Sequence, residues 1–216
     1  IRDADHLCFA GFELKGSRGN AVTLYGRGNR VESCLITNCA ESGIDMKGYD
    51  NVAFGNEIKR MGKGGILIDG GDRTTLTHGN NIAENNHIHH YGEIYKTYWG
   101  GVRVSGTGNI CAHNEIHDAP HMAIHYGGND HLFEYNRIYN VVNLSSEAGA
   151  IYAGRDFTAY GNVLRYNCIY DIGSGEFKPD GIYFDDALSG QTAYGNILIN
   201  VPKAGFMLGG GRELKV

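Results

Sequence analysis

A short apolar tetrad opened by a small residue recurs along the whole chain. It reads Ala21-Val-Thr-Leu, Gly43-Ile-Asp-Met, Gly65-Ile-Leu-Ile, Gly101-Val-Arg-Val, Ala123-Ile-His-Tyr, Ala150-Ile-Tyr-Ala, Gly181-Ile-Tyr-Phe and Gly205-Phe-Met-Leu. Successive starts lie 22, 22, 36, 22, 27, 31 and 24 residues apart, so the unit is 22 residues with insertions in some copies. A second marker, Asn-x-Ile or a near variant, runs in phase from Asn56, Asn86, Asn114, Asn136, Asn167 and Asn196. Two markers in one order exclude a chance repeat and make the period the first constraint on the fold.

A 22-residue unit is too short for a β-α-β crossover of about 30 residues. Apolar residues alternate over four or five positions, and helical periodicity is absent. With 33 glycines and only 3 prolines, each unit reads as short strands joined by tight turns. The expected fold is all-β: a right-handed parallel β-helix (a solenoid) of about eight coils, forming a single domain over residues 1–216. Coils stack about 4.8 Å apart. Ile44 and Met46, or Ile66 and Ile68, would point inward as aliphatic stacks, and the repeated asparagines would form an internal ladder. No amphipathic capping helix is visible at either end, so further segments of a longer native chain, or other chains, are expected to cover the coil ends.

The net charge is -5 and no Lys/Arg run occurs, which argues against a nucleic-acid partner. No apolar run is long enough to span a membrane. No signal peptide is visible, and the chain opens in mid-pattern at Ile1-Arg2-Asp3. The 5 cysteines have no framework spacing and read as small buried apolar residues.

Insertions precede Gly101, Ala150 and Gly181, which places them along one edge of one face. The third residue of each tetrad should point outward there, giving a row of Arg103, His125, Tyr152 and Tyr183, with Asp185 beside it. Candidate catalytic carboxylates near this row are Glu147, Asp156, Asp185 and Asp186. Candidate substrate-binding residues are Arg103, His121, His125, Tyr152, Arg155, Tyr183 and Trp99. Glu147 precedes its strand and joins the site only if its loop folds back. His87, His89 and His90 raise the question of a metal. Alternation puts His90 opposite the other two, so no metal site is expected.

Several runs resemble a known group. They are His117-Asp-Ala-Pro-His-Met-Ala-Ile124, Gly128-Asn-Asp-His131, Glu147-Ala-Gly-Ala-Ile-Tyr-Ala-Gly-Arg-Asp156, Gly181-Ile-Tyr-Phe-Asp-Asp-Ala-Leu-Ser-Gly190 and Gly209-Gly-Gly-Arg212. Together they resemble right-handed parallel β-helix proteins of the pectate-lyase-like superfamily, within it glycoside hydrolase family 141. The resemblance implies a secreted or periplasmic enzyme on plant or algal polysaccharide, with fucosidase and xylanase activities nearby. It matches Glu147 and the Asp185-Asp186 pair to acidic catalytic positions, although the family pattern carries Asp where Glu147 stands.

The leading expectation is a glycoside hydrolase using two of the four carboxylates, with no cofactor. Tyr152, Tyr183, His121 and His125 would orient the sugar, and Arg155 would tune a carboxylate. The alternative is a polysaccharide lyase that removes a proton beside a uronate, using Arg103, His125 and Tyr152 with calcium held by Asp residues. A non-catalytic carbohydrate-binding or structural β-helix is the third.

Overall fold

The computed structural model describes residues 4–216; the opening Ile1-Arg2-Asp3 lies outside them. No helix occurs among the described residues. The chain winds through three parallel sheets, each built from one strand per coil. The front sheet holds Val22–Arg27, Ile44–Tyr49, Ile66–Asp72, Val102–Gly106, Ile124–Tyr126, Gly149–Ala153, Asp180–Phe184 and Phe206–Leu208. The back sheet runs from Cys8–Ala10 to Thr192–Tyr194, and the side sheet from Glu13–Lys15 to Ile197–Ile199, with eight strands each. The solenoid of about eight coils expected from the period is the fold observed.

Register carries the period into space. Val22, Ile44, Ile66, Val102, Ile124, Ile151, Ile182 and Phe206 are successive partners on the front sheet. Leu14, Ile36, Ile58, Ile88, Ile116, Ile138, Ile169 and Leu198 form the matching side-sheet column. All but the end rungs Leu14, Val22, Leu198 and Phe206 are fully buried, and each buried aliphatic side chain contributes about 1.5–3 kcal/mol. The back-sheet column includes Ala53, Ala83 and Cys111, where narrow side chains suit the meeting of the three walls. All five cysteines are free; Cys34, Cys39 and Cys111 are buried, Cys168 is half-buried and Cys8 is exposed.

Two polar ladders hold the corners. In the first, the backbone N–H of Asn86 donates to Asn114 Oδ1 (3.0 Å), that of Asn114 to Asn136 Oδ1 (3.1 Å) and that of Asn136 to Asn167 Oδ1 (3.0 Å). Each Nδ2 donates to the same oxygen and also to a carbonyl of the preceding coil, as Asn114 Nδ2 does to Ala83 O at 2.9 Å. The Asn-x-Ile marker is this ladder.

A second ladder lies five residues earlier in each coil. It runs through Asn29, Asn51, Asn81, Asn109, His131 and Asn162, joining the front sheet to the back sheet. It escaped the sequence reading because His131 breaks the series.

The residue before each first-ladder asparagine turns the corner in the left-handed region. Asn85, His113, Tyr135 and Tyr166 have φ between 53° and 56°. Such a conformation strains a non-glycine residue. Here it is held by the ladder and by stacking of the exposed rings, His113 on Tyr135 at 4.9 Å and Tyr135 on Tyr166 at 5.2 Å.

The loops before Gly101, Ala150 and Gly181 share one edge as expected, but further insertions lie on the opposite edge. The 36-residue interval before Gly101 holds two loops. One is a hairpin after the front strand, where Thr77–His78 pairs antiparallel with Gly71 and Asp72. The other precedes the next front strand, around residues 90–100. Residues 154–161 likewise follow a front strand, while 140–148 and 172–179 precede one. Loops therefore rise on both rims of the front sheet.

Two predictions follow from the ladders. Asn114→Ala removes the acceptor of the buried Asn86 backbone N–H and a donor to the Ala83 carbonyl, and each buried orphan costs about 1–3 kcal/mol. We expect a loss of about 3–5 kcal/mol by urea unfolding, against a clearly smaller loss for Asn196→Ala at the half-buried end of the ladder.

His131 accepts from the Asn109 N–H through Nδ1 and faces the Gly127 carbonyl through Nε2, so the ring is neutral and burial pulls its pKa down to about 4. The unfolded histidine binds a proton below about pH 6.5 and the folded one does not. Stability is therefore full above pH 6.5 and is lost as pH falls toward 4, by up to about 3 kcal/mol from this residue. His131→Asn, which restores an amide rung, should flatten that part of a melting-temperature against pH profile.

Candidate functional site

The outward row forms as the period requires. Arg103 is the register partner of His125, His125 of Tyr152, Tyr152 of Tyr183 and Tyr183 of Met207. Parallel pairing stacks equivalent positions, so residues as far apart in sequence as Arg103 and Tyr183 lie within four successive rungs of one column.

The two rims bury this row more than an open sheet would. Tyr152 and Tyr183 are only 7% exposed and pack with Met122 and Met207 into a small cluster outside the main core. Their rings meet edge-on at 5.4 Å, and His125 lies 5.8 Å from Tyr152. The loop before Gly101 supplies the upper wall. Tyr91 anchors it, buried, with its hydroxyl donating to the Met122 carbonyl at 2.9 Å. Tyr98 lies 5.5 Å from His121. Trp99 faces two cations, Lys63 Nζ at 4.8 Å and Arg103 Cζ at 5.5 Å.

Protonation states follow from these neighbours. Burial, then the charge of Arg103 and the proximity of His121, lowers the His125 pKa to about 4. Burial alone does the same to His121. Both rings are neutral at physiological pH, and among the described residues each has a buried Nδ1 without a hydrogen-bond partner. The Tyr152 hydroxyl donates to Asp185 Oδ2 at 2.8 Å. Burial and then that carboxylate push its pKa well up, so the phenol keeps its proton. Tyr183 is pushed up to about 12, by burial first and then by Asp185 and Glu147. The exposed Glu147 is thus close enough for its charge to reach the Tyr183 ring.

The carboxylates are distributed differently from the sequence reading. Asp156 does not face its neighbour Arg155. Its Oδ2 pairs with Arg73 Nη1 at 2.8 Å, and its Oδ1 accepts from the backbone N–H and the hydroxyl of Thr158. Despite partial burial, those contacts hold its pKa below the ordinary value. Arg73 also reaches Asn129 Oδ1 and Thr158 Oγ1, both at 2.8 Å, and straps the lower rim together. Arg155 instead pairs with Asp186 across one coil at 3.0 Å. Asp185 accepts from Tyr152 and from the Asp186 N–H.

Upstream on the same face lies a groove of about 260 Å³ lined by Asp45, Lys47, Leu67, Asp69, Trp99, Arg103 and Ser105. Asp45 precedes Leu67 and Arg103 in the outward column and is 7% exposed. Burial raises its pKa, Lys47 opposes this and Asp69 adds to it. Asp69 accepts from the Ser105 hydroxyl at 3.0 Å. Sequence reasoning passed over Asp45 and Asp69, although both occupy outward positions of the same period.

Calcium needs six to eight oxygen ligands. Among the described residues, the three groups that converge as possible metal ligands lie on the side sheet, not on this face.

The family described as "Right handed beta helix region" matches residues 2–93 and 53–216. No curated protein sequence matches the chain. Among solved structures, the A-module of Azotobacter vinelandii mannuronan C-5 epimerase AlgE6 superposes with a TM-score of 0.76 at 14% identity, covering 98% of this chain and 58% of that one. The AlgE4 A-module from the same organism gives 0.72 at 13%, with the same coverages. An alginate lyase from Paenibacillus gives 0.55 at 15%, covering 94% of this chain and 80% of that one. This chain therefore spans little more than half the length of the two epimerase modules.

Proposed function

The chain belongs to the right-handed β-helix family, and from that premise we propose that its front face is the active site of an enzyme acting on a polyuronate by abstracting the proton beside the carboxyl group. The observation that carries this reading is the register of Arg103, His125 and Tyr152 on three adjacent rungs. Arg103 is exposed and placed to pair with a uronate carboxylate. Such pairing stabilises the negative charge that develops when the neighbouring carbon loses its proton. His125, neutral and next to Arg103 in the column, is the base. Tyr152, kept protonated, is the acid.

In elimination the C–H bond breaks toward His125, a carbon–carbon double bond forms, and the departing glycosidic oxygen takes the Tyr152 proton. In epimerisation the glycosidic bond stays intact and the same carbanion takes the Tyr152 proton on its opposite face. Both outcomes share the first step. The folds of the epimerase modules and the lyase named above accommodate such chemistry, which supports the class and not the choice within it. A polymeric substrate also fits a secreted or periplasmic setting.

Hydrolysis through Glu147, Asp156, Asp185 and Asp186 draws less support, because Asp156 and Asp186 are held by Arg73 and Arg155. One observation favours a different hydrolytic pair. Asp45, with its pKa raised by burial, shares a groove with Asp69, and glycoside cleavage uses a pair of carboxylates.

The test is incubation of the full chain with alginate and with pectate. It follows ultraviolet absorbance of unsaturated ends, proton NMR of uronate configuration, and reducing ends. We expect unsaturation or inverted uronates, falling about 10²–10⁴-fold in His125→Ala and Tyr152→Phe while circular dichroism is unchanged. Reducing ends without unsaturation, abolished by Asp45→Asn, would instead establish hydrolysis. No change in any of the three readouts would remove the proposal.

A further inference from the structure

The side sheet carries a second concentration of chemistry, facing away from the front groove. Strands Glu57–Met61, His87–His89 and Glu115–His117 are adjacent and in register. Glu57 is the partner of His87, and His89 is the partner of His117. Ile88 points inward, so His87 and His89 emerge together on the outer surface. Their rings stack at 4.5 Å, and His89 stacks on His117 at 5.0 Å with only 4° between planes. His90 also joins them, against the alternation argument. Its φ of 52° turns the chain, and its Nδ1 lies 2.7 Å from His89 Nδ1.

Four imidazoles on one patch need an explanation. Stacked aromatic surface accounts for some of it, as His117 continues onto Tyr139 at 4.5 Å. It does not account for where the heteroatoms point. One ligating atom each from Glu57, His87 and His89 falls within 4.8 Å of the others. His89 Nε2 is buried, lies 3.7 Å from Glu57 Oε1 and has no hydrogen-bond partner among the described residues. His87 Nε2 meets His117 Nε2 at 2.7 Å, and His117 Nδ1 lies 2.9 Å from Asp118 Oδ2. A carboxylate behind a histidine behind a further histidine is the arrangement that orients a metal-binding ring. Two imidazoles and one carboxylate are the donor set of three-ligand zinc sites, in which the fourth position stays open. Imidazole ligands also suit nickel and copper, and disfavour calcium and magnesium.

We propose that Glu57, His87 and His89 form a binding site for one divalent transition-metal ion of the zinc class, positioned by His117 and Asp118. Lys59 Nζ now pairs with Glu57 Oε1 at 2.6 Å, and the cation takes the place of that ammonium. Because Glu57 and the two histidines belong to neighbouring coils, the ion cross-links two rungs. The site shares no residue with the front groove, so the two proposals stand or fall separately.

The experiment uses the full chain free of any polyhistidine tag and stripped with chelator, titrated with zinc chloride by calorimetry. Cobalt chloride absorption reports the ligand set. One equivalent of zinc should bind, raise the melting temperature, and give a cobalt spectrum of nitrogen and oxygen ligation. His87→Ala and His89→Ala should each weaken binding at least about 100-fold, and Glu57→Gln and His117→Phe about 10–100-fold. The exposed His113→Ala should bind as wild type, and the apo melting temperature identifies any variant that fails to fold. Absence of stoichiometric zinc binding by wild type would overturn the proposal. So would affinity unaffected in folded His87→Ala and His89→Ala, or equal affinity for calcium.

Discussion

Everything in this molecule depends on hydrogen bonds that run from one coil to the next rather than within a coil. A coil of 22 residues cannot bury its own apolar face. It is completed only by the coil above and the coil below. The two internal ladders settle how those coils meet. Each ladder amide satisfies a backbone N–H on one side and a carbonyl on the other. A slip of one residue would orphan several of these groups in a region without water, and it would turn the aliphatic columns outward. Register is therefore fixed twice, by apolar packing and by amide geometry.

Fixed register is what allows distant residues to become a site. Insertions of any length at the rims leave the stacked strands undisturbed, because no ladder rung lies within them. The front face tolerates the hairpin carrying Arg73, the loop carrying Trp99 and the loop carrying Asp156 without loss of alignment between Arg103 and His125. The loops in turn change what the aligned residues are. On a bare solenoid surface Tyr152 and Tyr183 would be solvent-facing rings. Between two walls they are nearly buried, and a histidine beside them loses its proton.

The columns were legible because a strand period of two and a coil period of 22 are both visible in sequence. Arg103, His125, Tyr152 and Tyr183 could be placed on one wall from counting alone. The rims were not legible, because the 36-residue interval looks like a single insertion when only tetrads are counted. Asparagine spacing would have divided it. From Asn51 to Asn81 the excess over 22 lies in the hairpin, and from Asn81 to Asn109 it lies in the loop around Trp99. The true partner of Asp156 was beyond reach for the same reason. Arg73 comes from a loop whose height above the sheet no period encodes. His90 was misplaced because alternation stops where the backbone enters the left-handed region.

The chemistry of a residue on such a surface is set first by its burial and then by the rung on either side. Arg103 next to His125 favours a neutral ring, and Asp185 one coil beyond Tyr152 favours a neutral phenol. The protonation states of His125 and Tyr152 therefore depend on burial together with stacking order. The same rule on the side sheet puts His89 between Lys59 and His117 in one column, and His87 between Glu57 and Glu115 in the other. His89 thus lies among imidazoles, while His87, between two glutamates, lies beside carboxylate oxygen. Brought together by a single inward isoleucine, these two neighbours offer a lone pair and a carboxylate to the same point. That combination arises from stacking alone and owes nothing to the chemistry on the front of the coil.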